Sequence, residues 1–206
     1  MAGGVLECPS ANRYEDGQNL FRQCLEKIDQ EIDGRTRFPP KLFILWATPA
    51  FADYQELLRE IQEAKNSALF EKTPLIGTTA GAVLFDGDVY EQGAVLICLA
   101  SEWLTIQPAV AHHADTHPDD AVEALFDTLK MNTGPDLNSR GNSLLLTYIH
   151  GYSADLDPEK YVGPKILEVI SRKTFGRLPT YGGLSCASTT ATGSVPTVGY
   201  QFVTAQ

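Results

Sequence analysis

Basic residues are scarce in this chain of 206 residues. Lysine and arginine number 16 against 26 aspartates and glutamates, which gives a net charge of −10. Nucleic acids and anionic membrane surfaces both attract clustered lysine and arginine, so this balance predicts neither as a partner. Apolar residues make up 43% of the chain and charged residues 20%, which is typical of a globular core in one domain or two closely packed halves.

Cysteines and long apolar runs are also few. The four cysteines form no Cys-x-x-Cys pair, which favours a reducing compartment over a disulfide framework or a zinc module. The longest apolar stretch, residues 94–100, is too short to span a bilayer, and the first residues lack the basic and apolar regions of a signal peptide. These absences predict a soluble, cytoplasmic protein.

A glycine-bearing turn occurs twice in the chain. Residues 74–81 (PLIGTTAG) return in altered form 105 residues later as residues 179–186 (PTYGGLSC). An apolar run precedes each turn, at 42–47 and at 144–149, and another apolar segment follows each of them. The recurrence in register predicts two copies of one unit, each of which brings a glycine turn to the end of a strand.

Residue patterns within each copy predict the order strand, helix, strand, strand. In the first copy the run 42–47 stops at Thr48-Pro49, and a helix begins at Asp53, where Glu56 completes a capping box. The first copy covers about 41–101 and the second about 143–206, with a linker at 131–142 rich in glycine, proline and asparagine. The predicted fold is therefore α/β, a pseudo-symmetric repeat in one mixed sheet system with helices outside.

Further segments complete the prediction. Apolar spacings of three and four predict a helix over 16–33, and Pro118 suits the first turn of another. A helix is expected between Asp157 and Lys173, kinked at Pro164 or restarting there. Residues 103–110 could extend the first sheet, and 199–204 form the last strand. A chain that ends on a strand suggests a fragment of a longer protein.

The two glycine turns form the candidate ligand site. Glycine lets a ligand approach the backbone, and threonine hydroxyls and free backbone N–H groups can hold a carboxylate or phosphate. The turns lack the Lys-Ser/Thr of a phosphate loop and the spacing of a dinucleotide fingerprint. The alternative interpretation is that the glycines only allow tight packing where the strands end. If a ligand binds, the first turn, which has the smaller residues, is the favoured contact. The predicted ligand-binding residues are Gly77, Thr78, Thr79, Ala80, Gly81, Thr48, His150, Gly182, Gly183, Ser185 and Cys186.

Histidine and cysteine allow other interpretations. His150 ends the second copy's first strand and could touch a ligand or a haem iron, although a structural role is the commoner one. Cys186 with His150 could form a nucleophilic pair, but no protease signature or orienting residue accompanies it. His112, His113 and His117 precede a helix without a metal-binding pattern, which favours a solvated loop.

These segments resemble the N-terminal domain of the FIST family. The resemblance rests on the apolar strand 42–47, the Thr48-Pro49 turn, the helix 53–68 and the Gly-x-Ser/Thr-Ser/Thr-x-Gly motif at 77–81. The Gly182-Gly183 pair is similar to the family's second glycine turn. The resemblance covers roughly residues 18–206, and the order and spacing of the parts carry it more than any single motif.

The resemblance implies a sensory domain that binds a small ligand, with amino acids as proposed ligands and no catalysis of its own. It also implies a FIST C-terminal domain and an output partner, such as a histidine kinase, a cyclic-dinucleotide enzyme or a chemoreceptor, neither of which follows in this sequence. Some family members are haem-based nitric oxide sensors, and others are interaction modules of F-box proteins. The sequence therefore predicts a ligand sensor without a metal, with a haem sensor and an adaptor module as alternatives and a Cys186 enzyme last.

Overall fold

The computed structural model describes residues 2–7, 16–31, 39–48, 54–68, 70–90, 93–114, 116–130, 143–150, 162–185 and 201–203. The chain divides into two compact units, Met1–Ile106 with Phe202–Gln206 (unit 1) and Gln107–Gln201 (unit 2). In chain order the described elements are β1 (Ala2–Glu7), α1 (Asp16–Glu31), β2 (Pro40–Ala47), α2 (Tyr54–Ser67), β3 (Leu75–Thr79), β4 (Val83–Phe85), β5 (Asp88–Tyr90), β6 (Gly93–Ala100), α3 (Pro118–Thr128), β7 (Leu145–His150), α4 (Val162–Thr174), β8 (Thr180–Ser185) and β9 (Gln201–Val203).

A mixed five-stranded sheet organises unit 1, with the strand order β1-β6-β2-β3-β9. The central strand β2 runs parallel to β3 and antiparallel to β6, and β6 also pairs antiparallel with β1. Both faces of β2 are buried, since Leu42 and Ile44 are each 4% exposed and Phe43 and Leu45 are fully buried. Its residues are therefore apolar without alternation, as the run 42–47 predicted.

Helices α1 and α2 pack on one face of that sheet. Their apolar positions recur at spacings of three and four, which places Leu20, Cys24 and Ile61 in the core with Phe43. Phe21, Phe43 and Phe70 form a tilted aromatic cluster with ring centroids 5.2–6.5 Å apart. Both helices were predicted from this periodicity, and the structure confirms them.

Unit 2 contains the parallel pair β7–β8 and the helices α3 and α4. Apolar side chains from the two helices and from β7 share a core that includes Phe126, Ile149 and Ile166. Ion pairs join α4 to α3, between Arg172 and Asp119 and between Lys173 and Glu123. These contacts hold the two helices against one face of the β7–β8 pair.

Proline residues lie in the first turns of both unit 2 helices as the structure describes them. Helix α3 begins at Pro118, as predicted, because proline there gives up only an N–H that has no partner in a first turn. The described part of helix α4 begins at Val162, so Pro164 lies in its first turn, where proline is tolerated, and the predicted start near Asp157 lies outside the described residues.

Two expectations from the sequence need correction, and one strand was missed. The described strands form one five-stranded sheet and two separate two-stranded sheets, β4–β5 and β7–β8, where a single mixed sheet system was predicted. Residues 103–110 contain no strand, and Trp103 is 90% exposed, so this segment does not extend the first sheet. Strand β1 was not predicted, because its pairing with β6 joins residues that lie far apart in the sequence, from Glu7 with Gly93 to Ala2 with Cys98.

The last strand was predicted correctly but belongs to a different sheet. Residues 201–203 form β9, within the predicted 199–204, yet β9 lies beside β3 in the sheet of unit 1. The predicted linker 131–142 lies outside the described residues, and the division between the compact units falls at Ile106. No helix among the described residues is long and apolar enough to cross a membrane.

Candidate functional site

Thr48 closes the end of β2 onto the start of β6. Its side chain is fully buried, its backbone N–H donates to the Gly93 carbonyl at 2.8 Å, and its Oγ1 accepts from the Gly93 N–H at 2.9 Å. These two hydrogen bonds fix the backbone at the carboxyl end of β2, next to the end of β3 where the glycine turn begins. Thr48 therefore positions backbone in the structure, and its predicted ligand contact stays a prediction.

Gly77 lies where β3 passes very close to β2. A Cβ atom at this position would sit 1.9 Å from the carbonyl oxygen of Leu45, its partner in the strand register. Because this oxygen belongs to the backbone of β2, it cannot move aside to make room for a Cβ atom as a side chain could. The glycine of the first turn is required by strand packing.

The first glycine turn is buried at its beginning and exposed at its end. Thr78 and Thr79 are buried, 3% and 1% exposed, and Thr78 Oγ1 donates to the Thr79 carbonyl at 3.4 Å. Ala80 N–H donates to the Ala47 carbonyl at 2.9 Å and extends the β2–β3 pairing by one bond. Gly81 and Ala82 then turn into solvent, and among the described residues neither backbone N–H has an acceptor. Two neighbouring exposed donors thus stand at the carboxyl end of a parallel strand.

The second turn repeats the close approach. A Cβ atom on Gly182 would lie 1.8 Å from the Thr147 carbonyl oxygen, whereas one on Gly183 would meet nothing within 4 Å. Ser185 is 1% exposed, and its Oγ donates to the Ile149 carbonyl at 3.3 Å. In unit 2, therefore, packing requires a glycine at position 182, whereas a side chain at position 183 would have open space around its Cβ.

His150 and Cys186 are the two further residues predicted for the site in the second copy. His150 is paired with Ser185 in the strand register, and only its backbone is described. Cys186 lies outside the described residues. The site contacts predicted for both residues stay predictions.

The two parallel pairs have the same register. In unit 1 the Phe43 N–H donates to the Pro74 carbonyl, and in unit 2 the Leu145 N–H donates to the Pro179 carbonyl, each at 2.9 Å. Two residues further along, Leu45 faces Gly77 in unit 1, just as Thr147 faces Gly182 in unit 2. Each proline therefore immediately precedes the second strand of its pair, and the glycine three residues later closely approaches the first strand.

The three loop histidines are exposed. His112 and His113 have ring centroids 6.5 Å apart, and His117 Nδ1 lies 2.9 Å from Thr116 Oγ1. In the described part of the chain no group of three or more histidine, cysteine, aspartate or glutamate side chains could hold a metal ion. Haem needs an enclosed apolar setting, and these exposed rings do not fit that requirement.

Two buried charged residues on α2 were missed from the sequence. Glu60 is 1% exposed and Lys65 is fully buried, at positions that share the helical spacing of Leu57 and Ile61. Comparing the charged residues with the three-and-four spacing of the apolar ones could have identified both. Glu60 Oε2 accepts from the Gly17 N–H at 2.8 Å, and Oε1 has no partner among the described residues.

Burial raises the pKa of Glu60. The Gly17 N–H opposes this rise, the carboxylates of Glu56 and Asp16 add to it, and Arg59 lowers the pKa again. A carboxyl group whose pKa is raised by folding favours the folded state at low pH, and this contribution is lost as the pH rises through the folded-state pKa.

Removing the charge of Glu60 should therefore stabilise the protein near neutral pH. We expect Glu60→Gln, which keeps an acceptor for Gly17, to raise the free energy of unfolding by about 1 kcal/mol at pH 7. The gain should vanish at acid pH, where Glu60 is protonated in both states. Urea titrations across this pH range measure the difference, and Glu71→Gln, at an exposed position after the end of α2, is the control. A gain that is equal at all pH values would contradict the buried charge.

The chain belongs to the FIST N domain family. The family model matches residues 13–203, which span nearly the whole sequence and both glycine turns. No curated protein and no solved structure matched the chain. FIST domains are sensory domains of signal-transduction proteins, so the resemblance first noted in the strand and turn motifs is confirmed at the level of the family.

Proposed function

We propose that this chain is the small-ligand-binding sensory domain of a cytoplasmic signal-transduction protein, with an amino acid or small carboxylate as ligand. It acts without catalysis and passes its signal to a FIST C-terminal domain and an output domain or kinase. The family match over residues 13–203 supports the sensory role. Ligand binding would change the output by favouring one of two conformations.

The proposal that the ligand carries a carboxylate rests on the exposed N–H groups of Gly81 and Ala82. They have no acceptor among the described residues, and they follow Thr79 at the carboxyl end of β3. Ligands of α/β proteins bind at this end of parallel strands, and adjacent backbone N–H groups suit an anionic oxygen pair. A carboxylate would accept one hydrogen bond from each N–H group. Because the chain as a whole has a net charge of −10, the attraction for an anionic ligand would come from such local donors.

The two glycine turns belong, in this proposal, to two copies of one structural unit. The equal registers of β2–β3 and β7–β8 support it, as does the equal close approach at Gly77 and Gly182. The copies differ in their exits, since Gly81 has no glycine counterpart at Cys186. The first turn is accordingly the one that binds the ligand.

Thermal-shift measurements with the twenty amino acids and small mono- and dicarboxylates test the proposal. At least one compound should raise Tm, since binding at 100 times Kd adds about 2.7 kcal/mol to the free energy of unfolding. Ala82→Pro removes one donor and should weaken that compound's binding roughly tenfold, because one charge-assisted bond contributes about 1.5–3 kcal/mol. Ala82→Ser, which keeps the N–H, is the matched control. Equal binding by both variants would contradict the assignment of the ligand to the N–H group of Ala82.

An adaptor module is the second candidate, and exposed apolar side chains favour it. Leu84 and Val89 face each other across the β4–β5 hairpin and are 71% and 65% exposed, and Trp103 is 90% exposed. Exposed apolar patches mark protein interaction sites. Under this alternative no small molecule in the screen changes Tm, and Leu84→Ser with Val89→Thr lowers recovery of a partner protein without lowering Tm.

A further inference from the structure

Both ends of the β4–β5 hairpin are fixed at the carboxyl end of β2. Before the hairpin, the Ala80 N–H donates to the Ala47 carbonyl at 2.9 Å. After it, Gly93 accepts from the Thr48 N–H at 2.8 Å and donates to Thr48 Oγ1 at 2.9 Å. The chain therefore leaves the five-stranded sheet and returns to it at the same place, with the hairpin between the two fixed points.

A tight turn ties β4 to β5. Asp86 and Gly87 form a two-residue loop with φ of 56° and 91°, the positive values that a type I′ turn requires. Phe85 and Asp88 pair on either side of this loop, and the antiparallel register continues to Val83. Because the turn matches the natural twist of paired strands, the hairpin holds its own shape and can change position as one unit.

The inner face of the hairpin rests on helix α1. The Lys27 Nζ lies 4.5 Å from the centroid of the Phe85 ring, within the range of a cation–π interaction, and both side chains are half-buried. Val83, on the same face of β4 as Phe85, is 5% exposed. On the outer face, Leu84 and Val89 are 71% and 65% exposed. The contact of Lys27 with Phe85 is therefore one that holds the hairpin against α1, and a half-exposed contact of this kind is of modest strength.

Gly81 and Ala82 are the short connection between the fixed end of β3 and the hairpin. Both residues are exposed, and glycine adopts more backbone conformations than any other residue. Rotation of the backbone at Gly81 changes the position of the hairpin and, with it, the direction of the Ala82 N–H. A carboxylate that accepts from both N–H groups needs them to point the same way, so it binds one position of the hairpin better than another.

We propose that the β4–β5 hairpin is the mobile element of the sensor. The hairpin opens about Gly81, the contact between Lys27 and Phe85 holds it on α1, and a bound carboxylate suppresses the opening. The part that concerns the ligand rests on the proposed function, whereas the joint at Gly81 and the contact on α1 do not. Ligand and Lys27 act in the same direction, because both stabilise the position in which the Gly81 and Ala82 N–H groups are exposed.

Hydrogen exchange of the ligand-free full chain tests the contact between Lys27 and Phe85. Lys27→Met keeps a long apolar side chain and removes the cation, so the hairpin amides should exchange roughly two- to fivefold faster while the amides of β2 keep their rates. Lys27→Arg retains a cation over the ring and should exchange like wild type. Equal hairpin exchange in all three proteins would overturn the proposal. Equal acceleration in β2 and the hairpin would overturn it too, since Lys27 would then stabilise unit 1 as a whole.

Two opposite substitutions test the joint. Gly81→Ala keeps the N–H group but narrows the backbone freedom of the connection, so the hairpin amides should exchange roughly two- to fivefold more slowly. Ala82→Gly adds backbone freedom at the next residue and should accelerate their exchange by a similar factor. Unchanged hairpin exchange in both variants would overturn the joint at Gly81.

The carboxylate with the largest effect in the thermal-shift screen tests the coupling to the ligand. At about 100 times its Kd it should slow exchange of the hairpin amides roughly tenfold or more, because opening requires its release, while the amides of α3 in unit 2 keep their rates. A compound whose binding is weakened by Ala82→Pro but which leaves hairpin exchange unchanged would overturn the proposal and leave the ligand site intact. A screen in which no compound binds would contradict the proposed function, whereas the ligand-free rates still decide the joint and the contact.

Discussion

Replacing Gly182 with alanine is expected to unfold unit 2, while the same change at the next residue, Gly183, leaves the unit folded. The new Cβ at position 182 would lie 1.8 Å from the Thr147 carbonyl oxygen, and the new Cβ at position 183 would meet nothing within 4 Å. Backbone cannot move aside as a side chain can, so β8 must separate from β7. We expect a loss of about 3 kcal/mol or more for Gly182→Ala.

The neighbouring variant is a stringent control because it lies in the same strand. Gly183→Ala should change the free energy of unfolding by less than about 1 kcal/mol, and the lower backbone entropy of alanine in the unfolded state favours a gain. Urea titration followed by far-ultraviolet circular dichroism measures both variants. Similar losses for the two would show that β8 does not pass Thr147 as closely as described.

The same test applies to the first turn. Gly77→Ala would place a Cβ 1.9 Å from the Leu45 carbonyl oxygen, in the centre of the five-stranded sheet. A loss at least as large as that of Gly182→Ala is expected, because β2 and β3 are more deeply buried than β7 and β8. Equal behaviour of the two glycines would support their equivalence in two copies of one unit.

Replacing Lys65 with methionine should stabilise the protein. Lys65 is fully buried, and the one hydrogen bond of its ammonium group among the described residues is donated to Gln62 Oε1 at 3.4 Å. A buried ammonium group without a counter-ion costs several kcal/mol, and burial lowers the pKa of this lysine. Methionine fills similar space without a charge, so we expect a gain of about 1–3 kcal/mol at pH 7. Lys72→Met, at an exposed position, is the control and should have little effect.

The gain from Lys65→Met should depend on pH in a defined direction. The pKa of Lys65 is lower in the folded state than the value of about 10.4 for an unfolded chain, so wild-type stability rises with pH between these two values. The variant lacks this rise. Its advantage over wild type should therefore shrink as the pH approaches about 10, and an advantage that grows toward alkaline pH would contradict a buried, uncompensated amine.

Local patterns in the sequence were enough to predict the helices and central strands. The spacing of Leu20, Cys24 and Ile28 and the unbroken run 42–47 are signals that a short window contains. The pairing of β1 with β6 and the position of β9 beside β3 depend on contacts between distant residues, which no short window records. The central strands were therefore predicted one by one, but strand β1 and the order of the strands in the sheet were not.

The candidate site was predicted only as a region of the chain. The repeated glycines marked both strand exits, but the role of Gly77 follows from the position of the Leu45 carbonyl, which lies on another strand. The exposed donors at Gly81 and Ala82 could not be recognised either, because a free N–H is defined by its three-dimensional surroundings. Sequence located the turn, and the structure distinguishes its packing half from its exposed half.

Amide resonances of the turn provide the most direct test of ligand binding at this site. A compound identified by thermal shift is titrated into ¹⁵N-labelled protein, and the Gly81 and Ala82 cross-peaks should move saturably as their N–H groups gain a carboxylate acceptor. Gly87, in the β4–β5 turn, and Gly183 serve as internal references and should stay in place. Movement confined to other residues, or no movement with any compound, would contradict a carboxylate sensor built on the first glycine turn.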